Sequence, residues 1–187
     1  MAGQRVAQGD AAMTAAMTIR VQTGDFDLTT EISALRAQQP QVGAVVSFVG
    51  TVRDMNEGAS VSEMALEHYP GMTEKALEQI IVQARERWEF FNALVIHRVG
   101  PLQPLDQIVL VAVTASHRGE AFAACEFIMD YLKTDAPFWK KEQTPEGARW
   151  VDARSTDTAA RDKWASKSGD ASADDTQGGN SKAGNVP

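Results

Sequence analysis

Between Tyr131 and Glu142 the chain reads YLKTDAPFWKKE, which sets Lys133 and Lys140 on either side of a proline break and an aromatic pair, Phe138 and Trp139. A lysine leaving a helix and another held beside two rings can converge on one pocket. Lysine suits such a place because its ammonium is a movable point charge whose pKa falls readily on desolvation, so it can hold an anion or pass a proton. The alternative is a pair of ordinary surface lysines, with Lys133 complementing the C-terminus of its helix. Glu142 directly follows Lys140 and Lys141 and can steer either one, or simply complete a solvated charge cluster. Downstream, TPEGARWVDAR sets Arg149 and Arg154 around Trp150. Arg154 is a candidate substrate contact, against the alternative of a packed tryptophan with its flanking charges in solvent.

His117 and Arg118 sit where a helix should begin, at the positive end of its macrodipole, an unfavourable place for cations unless an anion binds there. Unpaired helix amides, an imidazole and a guanidinium together suit a phosphate, Arg118 offering a planar fork for two oxygens. Otherwise Arg118 pairs with Glu120 or a neighbouring carboxylate and His117 ends a strand. Arg53 closes GTVR after a predicted strand, where Gly50 lets the backbone come close to a ligand. His97 and Arg98 fall inside a strand and should face opposite sides, a partly buried histidine beside a surface arginine. His68, next to Tyr69 and Pro70, reads as structural. Three histidines without an i,i+4 pair or a cysteine partner make no zinc-like spacing, so no metal is expected. The sequence has no GxSxG, P-loop or GxGxxG run.

The elements that must position these groups are legible from periodicity. Phe26, Leu28, Ile32 and Leu35 recur with helical spacing, and 43–52 (GAVVSFVGTV) reads as a strand. Residues 62–69 alternate as a strand. Thr73 can cap a helix with the stripe Ala76, Leu77, Ile80, Ile81, Ala84 and Trp88. Residues 92–100 and 106–115 are β-rich, split by Gly100, Pro101 and Pro104, the second nearly continuous in Val, Ile, Leu and Ala and so central. Ser116 can cap a last helix carrying Ala121, Phe122, Cys125, Ile128, Met129 and Leu132, which must stop before Pro137. The order αββαββα predicts an α+β domain over residues 18–164 with an antiparallel or mixed sheet. Residues 1–17 and 165–187 are polar or small without apolar period and should be disordered. Gly178 and Gly179 lie in that second tail and read as a flexible linker.

Net charge of -7 and a pI near 5.0 exclude an extended positive field for nucleic acid or anionic membrane. The single cysteine, Cys125, builds no disulfide or cysteine metal site within the chain and reads as a small buried hydrophobe. No apolar run reaches membrane-spanning length and no signal-peptide core is present, so a cytoplasmic protein is expected. Met13 and Met17 leave the true start of translation open.

Taken together, GAVVSFVGTVR (43–53), LEHYPGMTEKAL (66–77), VIHRVG (95–100), TASHRGEAF (114–122) and FIMDYLKTDAPFWKKE (127–142) resemble the MoaE family, the large catalytic subunits of molybdopterin synthases. The likeness spans nearly all of residues 43–154, five pieces in order with matching spacing. It implies an α/β hammerhead-type subunit that forms a homodimer and binds one small ubiquitin-like sulfur carrier, MoaD-like, at each end, a heterotetramer. The carrier's C-terminal Gly-Gly thiocarboxylate would enter this subunit's pocket. There cyclic pyranopterin monophosphate (precursor Z) would receive two sulfurs in succession and become the dithiolene of molybdopterin. No cofactor is expected, since the carrier supplies the sulfur.

By the same resemblance, Lys133 and Lys140 match the catalytic pair. Thr51, Val52 and Arg53, His117 with Arg118, and Lys141 with Glu142 fall on substrate-binding segments, His117 and Arg118 coming from the opposite protomer. Some members carry lysine at position 51, so contact from Thr51 would rest on its backbone or hydroxyl. Lys133 is expected to act as general acid and base near the thiocarboxylate, Lys140 to stabilise developing negative charge, and Arg53, His117 and Arg118 to anchor the phosphate. The competing reading is a non-catalytic dimeric scaffold that holds a ubiquitin-like partner or a phosphorylated metabolite unchanged.

Overall fold

The computed structural model describes residues 16–56, 59–60, 63–144, 147–151 and 155–166. Of the two expected tails, only residues 16–17 and 165–166 belong to that set, and Arg154 lies outside it. Two continuous apolar runs form the centre of the molecule. β6 (Asn92–Arg98) and β8 (Gln107–Ala115) pair antiparallel, with β2 (Ala44–Thr51) antiparallel along β8 and β1 (Met17–Gln22) parallel along β6. Strands buried on both faces need no polar alternation, and every residue of β6 is buried.

The period of two sorts these side chains between two layers. Ala93, Val95, Val111 and Val113 face α2 (Met72–Arg85) and α3 (Arg118–Asp135), meeting Leu77, Ile80, Ile81, Phe127 and Ile128. Leu94, Ile96, Leu110 and Ala112 face the other way, towards α1 (Leu28–Leu35), with Phe26, Ile32 and Leu35. Each fully buried Leu, Ile or Phe contributes about 1.5–3 kcal/mol, so this central layer dominates the fold. The result is the expected α+β class with a mixed sheet.

A second four-stranded sheet, in the order β10 (Gly147–Val151), β9 (Phe138–Thr144), β5 (Glu63–His68), β7 (Gly100–Leu102), packs beside one end of the first. Met64, Leu66 and Leu102 supply its buried face, against Val52 and Val99, with Val21, Ile108 and Phe138 at the margin. Two short strands, β3 (Met55–Asn56) and β4 (Ala59–Ser60), pair with each other, and α4 (Ser155–Ser166) lies along α3.

Several local expectations are corrected. β1, the β9–β10 hairpin and α4 were not anticipated. Thr73 lies within α2 rather than capping it. The residue before the helix is Gly71, at φ 80, whose N–H donates to Glu74 Oε2 at 2.6 Å. Thr73 is wholly buried because its hydroxyl accepts from Tyr69 N–H and donates to Pro137 O at 3.1 Å, tying α2 to the end of α3. The N-cap of α3 is His117, not Ser116. A Cβ at Gly43 would stand 2.2 Å from Ser116 O, so the close approach of the two backbones requires glycine there. Phe122 is exposed instead of belonging to the α3 stripe. Arg98 is buried rather than at the surface, because its guanidinium donates to Thr23 O and Gln107 O and pairs with Asp25.

Candidate active site

Pro137 disfavours the helical conformation in the residue before it, and Ala136 is extended at φ -84, ψ 129. The chain therefore leaves α3 and enters β9 within two residues. Three contacts hold that bend. Thr73 donates to Pro137 O, Phe138 N–H donates to Ala136 O at 2.9 Å, and the Phe138 ring stacks on His97 at 3.8 Å.

Lys133 and Lys140 flank the bend. Lys133 stands on the last turn of α3, about half exposed, its Nζ 3.5 Å from Asp157 Oδ1. Lys140 pairs across the sheet with Leu66, and Phe138 with His68. Directly opposed residues share a face, so Lys140 leaves β9 on the face that buries Leu66 and turns towards Val52. Lys141 takes the other face, opposite Ala65, with its Nζ 5.5 Å from the Trp150 ring. Adjacent lysines that read as one cluster in sequence thus serve two surfaces. Glu142 aligns with Met64 and Arg149 in the ladder; its side chain lies outside the described set.

Residues 51–53 approach the same end of the molecule. β2 runs antiparallel to β8 with Thr51 opposite Gln107, after a register shift at Gly50, where a Cβ would stand 2.8 Å from Val109 Cγ1. The close approach at Gly50 is therefore to Val109. Val52 is buried, its N–H donates to Asp106 O, and its carbonyl accepts from Leu105 N–H, both at 2.9 Å. It anchors its exposed neighbours Thr51 and Arg53. Since α3 returns along the sheet after β8, its C-terminal turn with Lys133 lies at this end too.

His117 and Arg118 are exposed at the other end of α3, and His117 makes no side-chain cap bond. Fifteen residue steps of helix run from Arg118 to Lys133, roughly 22 Å along the axis. Within one chain Val52 shares a buried cluster with Leu66 and Phe138 at the end of the molecule where Lys140 and the last turn of α3 lie, and His117 and Arg118 stand at the opposite end of α3.

The family model of the MoaE protein matches residues 21–135. This chain belongs to the MoaE family. It is 69% identical over 156 residues to the molybdopterin synthase catalytic subunit of Ralstonia nicotianae, covering 83% of this chain and 89% of that protein. A solved molybdopterin biosynthesis MoaE protein from Burkholderia ambifaria matches with a TM-score of 0.70 at 63% identity, over 80% of this chain and 99% of that one. The crystal structure of molybdopterin synthase from Staphylococcus aureus matches with a TM-score of 0.66 at 32% identity, over 71% and 96%.

The chain has one thiol, Cys125. Cys125 is buried and its thiol is pushed up to about 12 by desolvation, with Sγ 3.8 Å from Val111 O. Little thiolate forms at neutral pH, and Cys125 packs as the small buried hydrophobe expected of it. Among the described residues no group of three or more His, Cys, Asp or Glu could hold a metal ion, and no helix is long and apolar enough to cross a membrane.

Sequence reasoning missed the support behind the bend. His97 is 5% exposed, and its Nδ1–H donates to Arg98 O at 2.9 Å. Burial pushes its pKa down to about 4; the bond to Arg98 opposes this and nearby His68 adds to it. The folded protein thus binds this proton less readily than the unfolded chain, whose histidine titrates near 6.5. Stability is full above that value and is lost as pH falls towards 4. Between pH 6.5 and 5 the loss from His97 is about 2 kcal/mol. Urea unfolding of wild type and His97→Gln at pH 7 and pH 5 checks this, since the gap between them should narrow by that amount; a constant gap refutes it. Asp157 was also missed; the helix that carries it, STDTAARDKWAS, has a single large apolar residue to announce it.

Proposed function

We propose that this chain is the catalytic subunit of a molybdopterin synthase and transfers sulfur from a small ubiquitin-like, MoaD-like carrier to cyclic pyranopterin monophosphate. The carrier's C-terminal thiocarboxylate supplies the sulfur, and two successive transfers build the dithiolene of molybdopterin. The observation that carries the reading is the α3–β9 bend, with Lys133 and Lys140 on its two arms and residues 51–53 at the same end of the molecule. The relatives' description as a catalytic subunit supports a division of labour in which a second, smaller subunit brings the sulfur.

The chemistry sorts the cations. Sulfur transfer from an acyl group needs a charge to hold the carboxyl end and a group to move protons as the pterin's side ring and cyclic phosphate open. Lys133, the more exposed of the two, at a helix end, serves as acid and base. Lys140, rising from β9 opposite the buried Leu66, stabilises the negative charge that develops. Arg53 and the hydroxyl of Thr51 meet the phosphate, with Glu142 and Arg154 as outer contacts, and Lys141 stays beside Trp150 on the other face of β9. His117 and Arg118 reach this site only from a second copy, because the length of α3 separates them from Lys133. The homodimer is then part of the active site, and the carriers bind at its two outer ends.

Reconstitution tests the reading. Purified chain mixed with thiocarboxylated carrier and cyclic pyranopterin monophosphate is expected to yield a dithiolene-bearing pterin, read by its fluorescent oxidation product. Binding of both components without product would identify a scaffold instead.

A further inference from the structure

α4 docks on α3 through one face. Asp157, Arg161 and Trp164 fall at i, i+4 and i+7, the spacing of a single helical stripe. Trp164 is 3% exposed and lies edge-on to Trp88 and Phe127, at 5.4 and 5.5 Å between ring centroids. Its indole N–H donates to Asp130 Oδ2 at 2.8 Å, and Arg87 donates to its carbonyl at 3.1 Å. Lys163 reaches Glu126 and Asp130, and Arg161 reaches Asp135. In each of these ion pairs α4 supplies the cation and α3 the acid. Asp157 and Lys133 reverse that polarity, the carboxylate on α4 and the ammonium on α3, 3.5 Å apart.

The reversal falls on the lysine at the bend. Asp157 is only 21% exposed, whereas Lys133 is 48% exposed. The less mobile partner is the acid, fixed two turns from a buried tryptophan. A half-exposed lysine with four rotatable bonds otherwise sweeps a wide volume, and a reacting group displaced by about 1 Å can lose on the order of a hundredfold in rate. We propose that Asp157 is a positioning residue, holding the Lys133 ammonium in one direction over the α3–β9 bend from the first turn of α4. This rests on the catalytic reading of Lys133 given above. Asp157 also complements the α4 macrodipole from that first turn, a purely structural role that the test must separate.

The complete chain, with thiocarboxylated carrier and cyclic pyranopterin monophosphate, is compared as wild type, Asp157→Asn, Asp157→Glu, Lys133→Ala and the Lys133→Ala/Asp157→Asn double variant in single-turnover and steady-state assays. Asp157→Asn is expected to lower kcat by on the order of tenfold to a hundredfold with KM for the pterin within about twofold of wild type. Asp157→Glu, which restores the charge, should recover most of that rate. In the Lys133→Ala background the Asn substitution should cost nothing further, since its effect passes through the missing amine. Wild-type kcat in Asp157→Asn overturns the proposal. So does an equal loss in the Lys133→Ala background, which would assign Asp157 to the fold. Full turnover by Lys133→Ala alone is a different failure, that of the catalytic reading, and it shows in a variant where Asp157 is untouched.

Discussion

Lys133→Ala is expected to lower molybdopterin formation by on the order of a thousandfold or more, while fold and carrier binding persist. The fold should survive because the side chain is about half exposed and its ion pair to Asp157 is of the surface kind. Such pairs contribute about 0–1 kcal/mol, small beside the burial of Phe127, Ile128 and Leu132 on the same helix. The chemistry should not survive, since alanine can neither deliver a proton to the opening pterin ring nor hold an acyl end. Melting temperature, carrier binding by native mass spectrometry and single-turnover product formation measure the three properties separately. Turnover within about tenfold of wild type would remove Lys133 from the mechanism, since general acid–base catalysis contributes at least 10²-fold.

What could be read beforehand follows from where each element takes its stability. β6 and β8 announced themselves because strands buried on both faces must be continuously apolar. The α3 stripe and its stop before Pro137 were legible for the same local reasons. β9 was not, because FWKKEQT draws its stability from pairing with β5 and β10 rather than from an apolar face of its own. With the strand unseen, Lys140 and Lys141 looked like one charge cluster, although a period of two sends them to opposite faces. β1 is short and holds its place by parallel pairing to β6, a long-range contact that MTIRVQ does not advertise. α4 depends on one buried tryptophan, so in sequence Trp164 resembles the edge of a domain, whereas in the fold it anchors a helix. The burial of Arg98 is not legible locally because it depends on Thr23 and Asp25, both distant in sequence.

The separation along α3 makes a second prediction with a large effect. If His117 and Arg118 serve the site of the opposite protomer, each active site of the homodimer combines Lys133 and Lys140 of one chain with His117 and Arg118 of the other. Arg118→Ala alone should raise KM for the pterin, because a guanidinium fork on a phosphate binds substrate before the chemistry begins. At pterin concentrations well below that raised KM, Arg118→Ala and Lys133→Ala homodimers should both be nearly silent. Mixing the two proteins and allowing subunits to exchange changes the arithmetic. In a mixed dimer one site collects both substitutions and the other collects neither. Random exchange makes about half of the dimers mixed, so about one quarter of all sites become wild type and activity should return to about that level. Sites built within one chain predict no return at all, since every site would still carry one substitution. The assay is the same product measurement before and after exchange, with mixed dimers verified by mass. Recovery requires that residues roughly 22 Å apart on one helix act in different sites, which a monomeric enzyme could not achieve.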